Sequence, residues 1–412
     1  MPPITPPPGT LNTLSEWLAA PPIDRELALA PALERIRALD QTLHAWVQVS
    51  PQAPAADGPL FGVPIGVKDV FETEGLATEY GSDLYKGRVG ASDAAIVGEL
   101  KRLGAIVVGK THTAAFAYRS PAPTRNPRDV AHTPGGSSSG SAAAVAAGMV
   151  PLALGTQTKG SVLRPASYCG ITGFKPTFGV IPTDGVLPFS TSLDTVGFFA
   201  HTPRDMVAFW EAYAGAPVRG GEGALVLGCA RAQAEPTMAA AFEAAMATLT
   251  AAGLVVRTLD IEGLLAAVSD AAETVMFFEA AQAHGDRYDE YGDRLADVAD
   301  AVRTGRAIRP QEYEDARLRL ESYREKMAAV FATTPIVASP AATGPAPRGL
   351  ASTGDPAMNA PWTALGTPAI AVPLPVPGLP LGLQLTAARG DDARLLHAAV
   401  HIHDAVHGML RT

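Results

Sequence analysis

Apolar residues recur at helical spacing across 27–43 (Leu27, Leu29, Leu33, Ile36, Leu39, Leu43), which predicts an amphipathic helix. Residues 62–69 are apolar and bounded by turn residues, the pattern of a short strand that ends on Lys68. Residues 93–103 read as a helix and 104–110 as a strand. From there to about residue 200 strand and helix patterns alternate, as in a layered α/β sheet. Residues 203–335 are mainly helical in pattern, with 225–227 and 254–256 as two short strands inside them. Residues 279–324 carry charges of both signs and read as a solvated helical face. A buried strand is expected at 335–340 and a loop at 350–366. A hairpin is expected at 368–385, turning at 375–379, and a last helix at 391–407. Residues 1–10 are Pro-rich and expected to be loose. Internal repeats and linkers are not visible. The expectation is a single domain over 1–412, with an N-terminal helical arm at 1–50 and a mainly helical insertion at 203–335 that shapes a substrate pocket.

Of the 412 residues, 47% are hydrophobic and 18% charged, a composition that can fill a core and is not that of a disordered chain. The net charge of −9 and the lack of a basic cluster argue against nucleic acid as a partner. Cys169 and Cys229 show no pairing pattern, which fits a reducing cytoplasm. A basic segment followed by an apolar one is missing at the N-terminus, so no signal peptide is expected. Apolar runs stay short of ~18 residues, so no membrane-spanning helix is expected.

The unusual stretch is 133–176. Two Ser/Gly loops, 135–141 and 155–161, flank a short small-residue helix and an apolar strand. Glycines allow positive φ or close approach of the backbone to a ligand. Successive N–H groups in such turns can form an anion-binding concavity. A flexible linker is a poor reading, because the first loop runs straight into 142–147, a tightly packing helix. Three tempting motifs are set aside. Residues 104–111 match G-x-x-x-x-G-K-T, yet Ala105, Ile106, Val107 and Val108 are strand residues where a phosphate-wrapping loop is needed. Residues 136–140 match G-x-S-x-G, yet turn chemistry at 126–129 stands where a nucleophile elbow needs a strand. His397 and His401, with His403 and His407, read as the polar face of a surface helix; no metal and no cofactor is expected.

Lys68, Ser137 and Ser161 remain. The 24 residues from Ser137 to Ser161 hold one helix and one strand, so both loops can meet at one end of a sheet where Lys68 also ends a strand. A serine hydroxyl needs a base to take its proton. His132 is the nearest histidine, and its place before the 134–136 turn leaves its reach open. A lysine serves if burial keeps it neutral, and a second serine can bridge base and nucleophile. The turn of Thr158, Lys159, Gly160 and Ser161 offers backbone donors to an oxyanion, an effect on the order of 3–4 kcal/mol per donor.

The blocks at 62–69, 134–141, 155–176 and 361–385 (P-W-T-A-L-G-T-P, then G-L-P-L-G-L-Q-L) resemble the amidase signature family, in the family's order and over most of the chain. The resemblance implies an α/β fold, a mixed twisted β-sheet of about eleven strands covered by helices on both faces. It implies Ser161 as the acylated nucleophile, Ser137 as a bridging serine held by a cis peptide, and Lys68 as the general base. Thr156 and Ser138 support them. A homodimer is implied as well. Three departures stand out. Gln157 replaces an aspartate, Lys159 replaces a glycine of the oxyanion turn, and Arg164 stands three residues after the nucleophile instead of two. The first and third, with residues 351–356, resemble the malonamidase branch, where the arginine implies a contact with a substrate carboxylate. Arg164 either does that or pairs structurally inside the sheet. If the turn needs positive φ at 159, lysine strains it. The expected activity is hydrolysis of a linear C–N amide through Ser161, on a small carboxylated amide. Alternatives are a carbamate, ester or aryl-amide hydrolase of the same family, or the amidase component of a tRNA-dependent amidotransferase.

Overall fold

The computed structural model describes residues 10–220, 225–230 and 233–409. The expected loose segment at 1–10 lies outside the described residues except for Thr10. Helices α1 (Leu14–Ala19) and α2 (Pro22–Leu43) lead into strand β1 (Trp46–Gln52). Thr13 and Glu16 form a reciprocal capping box that starts α1, and Pro22 opens α2 at a position where its missing N–H costs nothing. Then come β2 (Pro64–Lys68), α3 (Ala95–Arg102), β3 (Ile106–Thr111), α4 (Ser139–Ala146), β4 (Leu152–Gln157), α5 (Leu163–Cys169), β5 (Thr172–Lys175) and β6 (Thr195–Ala200). Thr202 and Asp205 cap α6 (Pro203–Ala214). Beyond it lie β7 (Val226–Ala230), α7 (Pro236–Ala251), β8 (Val255–Leu259), α8 (Glu262–Tyr291), α9 (Asp297–Ala307) and α10 (Pro310–Thr333). The chain closes with β9 (Ile336–Pro340), α11 (Ala360–Ala364), β10 (Ala369–Pro373), β11 (Gly382–Ala387) and α12 (Asp392–Val406).

All eleven strands join one mixed sheet in the order β1-β3-β2-β4-β6-β5-β10-β11-β9-β7-β8. This is the α/β architecture expected from the sequence. β2 runs parallel to β3 and β4, while β6, β5, β10 and β11 are antiparallel to their neighbours. Along β4, Leu152 and Leu154 enter one apolar cluster and Ala153 the other, so the sheet is buried on both faces. The short strands at 225–227 and 254–256 are extended as β7 and β8 and form the far edge of the same sheet. α8 packs against α9 and α10 beside it. Two stretches differ from expectation. The loop at 350–366 contains α11, which buries Trp362. The charged stretch 279–324 is not uniformly solvated. Buried Glu279 accepts hydrogen bonds from the Ser190 and Ser192 hydroxyls, the Ser192 N–H and the Tyr313 hydroxyl. Four donors make that burial tolerable. Among the described residues no helix is long and apolar enough to cross a membrane.

The register Val67↔Leu154 puts the C-terminal ends of β2 and β4 side by side. The small-residue helix α4 lies close over them. A Cβ on Gly140 would stand 2.2 Å from the Ala45 carbonyl oxygen and 2.5 Å from the His112 nitrogen. Gly140→Ala is therefore expected to destabilise the fold by roughly 1–3 kcal/mol or more, read as a lower denaturation midpoint at unchanged slope.

Candidate active site

Lys68 is the last residue of a strand buried at all five positions. Its Nζ lies 2.9 Å from Ser137 Oγ and 2.7 Å from Thr156 Oγ1. Burial pushes the amine pKa down to about 7, partly offset by the negative charge of Asp194. Ser137 follows a cis peptide at Gly136–Ser137, and its carbonyl accepts from the N–H groups of Ala114 (3.0 Å) and Ser139 (2.9 Å). The Ser138 hydroxyl accepts from the Thr156 N–H and lies 3.3 Å from the Thr156 carbonyl, tying the first Ser/Gly loop to the end of β4.

The second loop is pinned from below. Gln157 Oε1 accepts from the N–H groups of Val162 (2.9 Å) and Leu163 (3.0 Å) at the start of α5. Its Nε2 donates to Thr363 Oγ1 at 3.0 Å, and that hydroxyl donates to the Lys159 carbonyl at 2.8 Å. A carboxylate could accept at 157 but would have no hydrogen for Thr363; the amide does both. Lys159 is not among the non-glycine residues with positive φ, so the strain expected there is not present. Its ammonium pairs with Glu273 of α8 at 3.4 Å. Gly160 abuts Asn359, whose Oδ1 would lie 2.5 Å from an added Cβ. The Thr158 hydroxyl donates to Asp194 Oδ1 at 2.5 Å. Burial pushes the Asp194 carboxyl up to about 6, against hydrogen bonds from Thr158, Phe189 and Ser190.

Arg164 is buried on α5. Nε donates to the Thr353 carbonyl (2.8 Å), and Nη2 donates to the Gly136 carbonyl (2.7 Å) and Thr353 Oγ1 (3.2 Å). Nη1 has no hydrogen-bond partner among the described residues. Thus the structural pairing foreseen for this arginine is made to loops rather than within the sheet, and one donor is left over.

A cavity of about 610 Å³ lies over these groups. Ser137, Thr158, Lys159, Gly160, Ser161 and Arg164 all line it; Lys68 and Thr156 stand behind Ser137. The Ser161 hydroxyl makes no hydrogen bond among the described residues. His132 is elsewhere. Its ring pairs with Asp129 at 3.1 Å and its backbone bridges Arg348. The histidine alternative for the base therefore has no support in the geometry. Among the described residues no group of His, Cys, Asp and Glu is placed to hold a metal.

A sequence profile described as Amidase matches residues 28–396. The chain belongs to the Amidase family. Its relatives in that family include proteins named as a glutamyl-tRNA(Gln) amidotransferase subunit. One, from Thermus thermophilus, is 34% identical over 437 aligned residues, covering 90% of this chain and 92% of that protein. Another, from Chromohalobacter salexigens, is 38% identical over 229 residues, 51% of this chain and 47% of that one. The match thus spans about half the length of several of these relatives. A crystal structure described as an amidase superposes with a TM-score of 0.85 at 26% identity, covering 96% of this chain and 100% of that one. The glutamyl-tRNA(Gln) amidotransferase subunit of Thermotoga maritima gives 0.82 at 27%, covering 95% and 94%.

Sequence reading missed several residues in this Amidase-family cavity or, like Asp194 behind Thr158, buried beside it. Asp194 hides in a run of small hydroxyl residues before an apolar strand, where nothing local marks a carboxylate as buried. Glu273 and Asp270 look like ordinary surface charges of a helix. Thr353 and Asp355 sit in the segment 351–356, which stands out only through the resemblance.

Proposed function

We propose that this chain is an amidohydrolase that cleaves a linear C–N amide through an acyl-enzyme on Ser161. The observation that carries the reading is the buried lysine within hydrogen-bond reach of Ser137, beside a cavity that Ser161 also lines. Neutral Lys68 takes the Ser137 proton as Ser137 takes that of Ser161, and Ser161 Oγ attacks the amide carbon. The backbone N–H groups of Lys159, Gly160 and Ser161 donate to no acceptor among the described residues, which leaves them for the developing oxyanion. Collapse breaks the C–N bond, and the leaving nitrogen takes the proton back along the same hydroxyl. Water then adds to the ester and frees Ser161.

The spare Arg164 Nη1 favours an acyl group that carries a carboxylate, as in the malonamidase branch. The test is a substrate panel with the Arg164→Lys variant alongside. Succinamate turnover is expected, and Arg164→Lys should lower kcat/KM for succinamate about tenfold more than for neutral butyramide. Equal losses for both would leave Arg164 a structural residue.

A second reading is favoured by the 34% identity over most of the chain to a glutamyl-tRNA(Gln) amidotransferase subunit. On that reading the same acyl transfer releases ammonia from glutamine inside an assembly. Glutamine hydrolysis that rises on adding the other amidotransferase components, with no turnover of other amides, would select it.

A further inference from the structure

Four carboxylates line the cavity (Asp270, Glu273, Asp297 and Asp355) against three cations (Arg119, Lys159 and Arg164). Most of these charges have an occupation. Asp297 accepts from the Ser120 hydroxyl at 2.7 Å, Arg119 lies over the Tyr118 ring, and Arg164 holds Gly136 and Thr353. The α8 wall, with Asp270 and Glu273 one turn apart, is negative unless something neutralises it. Lys159 does so, reaching from the turn that carries Ser161 to Glu273 at 3.4 Å. Its backbone is held by the Thr363 hydroxyl, so only the side chain is free to swing.

We infer that Lys159 is a specificity-determining residue, and that its pair with Glu273 is an exchangeable one in which a ligand carboxylate takes the place of Glu273. Both side chains are partly exposed, 30% for Lys159 and 50% for Glu273. Ion pairs so exposed are weak and screened by salt. Exchanging Glu273 for a ligand carboxylate leaves the ammonium with an anionic partner, so the swap costs little. A neutral ligand offers Lys159 a carbonyl dipole but no charge, so it does not replace Glu273 as the partner. The site therefore takes an amide whose anionic group faces Lys159 on the turn that carries Ser161. This rests on the proposed function for the position of the reacting serine, while the selectivity itself concerns binding.

The test uses calorimetric titration of glutarate and of uncharged glutaramide into the full chain carrying Ser161→Ala, so no turnover is needed. At low ionic strength, Glu273→Gln should tighten glutarate about threefold or more and Lys159→Met should weaken it about fivefold or more. Glutaramide should change by less than about twofold in both, since it carries no charge. A purely structural role of the pair would move both ligands alike and in the same direction, and that result overturns the inference. So does glutarate that fails to bind the parent protein. An absence of amide hydrolysis by the unaltered chain would instead count against the proposed function and leave these binding shifts intact.

Discussion

Replacing Ser161 with alanine is expected to lower kcat by about 10⁴-fold or more, because the hydroxyl proposed to form the ester is removed. The residue lines the cavity and its hydroxyl bonds nothing among the described residues, so the variant should keep its fold and its unfolding midpoint. Labelling by a fluorophosphonate gives a second readout independent of substrate choice. The parent should be labelled on Ser161 and the variant not at all. Residual turnover within about a hundredfold of the parent would remove the acyl-enzyme from the mechanism.

Lys68→Met should be nearly as damaging, a loss on the order of 10²–10⁴ in kcat. The methionine fills the same buried volume but leaves the Ser137 and Thr156 hydroxyls without their partner. The amine is held near pKa 7, below its ordinary 10.5, because burial disfavours the ammonium. Below about 7 it is protonated and has no lone pair for the Ser137 proton. The rate of the parent enzyme should therefore climb about tenfold per pH unit in acid and level off above about 7. Asp194, near 6, supports the ammonium only once it is itself ionised. Asp194→Asn should then shift the rising limb to lower pH. A profile flat down to pH 5 would falsify a neutral lysine as the base.

The strands, their alternation with helices and the two Ser/Gly loops were legible because each follows from local periodicity and backbone freedom. β2 ends at Lys68 and β4 leads into the second loop for reasons written in a few neighbouring residues. Glu279 shows where such reading stops. In sequence it is one charge among many on a helix; in space it closes four hydrogen bonds from two other segments. Gln157 is similar. In sequence it is only a departure from the family's aspartate, whereas in space the amide links α5 to Thr363, a residue 206 positions away.

Residue types at 68, 137, 156 and 161 and the chain turns around them are properties of short stretches, and the sequence was sufficient for those. The chemical state of the groups was not. Whether the amine at 68 is charged depends on how completely water is excluded and on the distance to Asp194, and both are set by contacts between strands far apart in the chain. The same holds for the spare donor on Arg164 and the reach of Lys159 to Glu273. Each depends on which distant loop or helix the packed sheet brings opposite, and no local pattern encodes that choice.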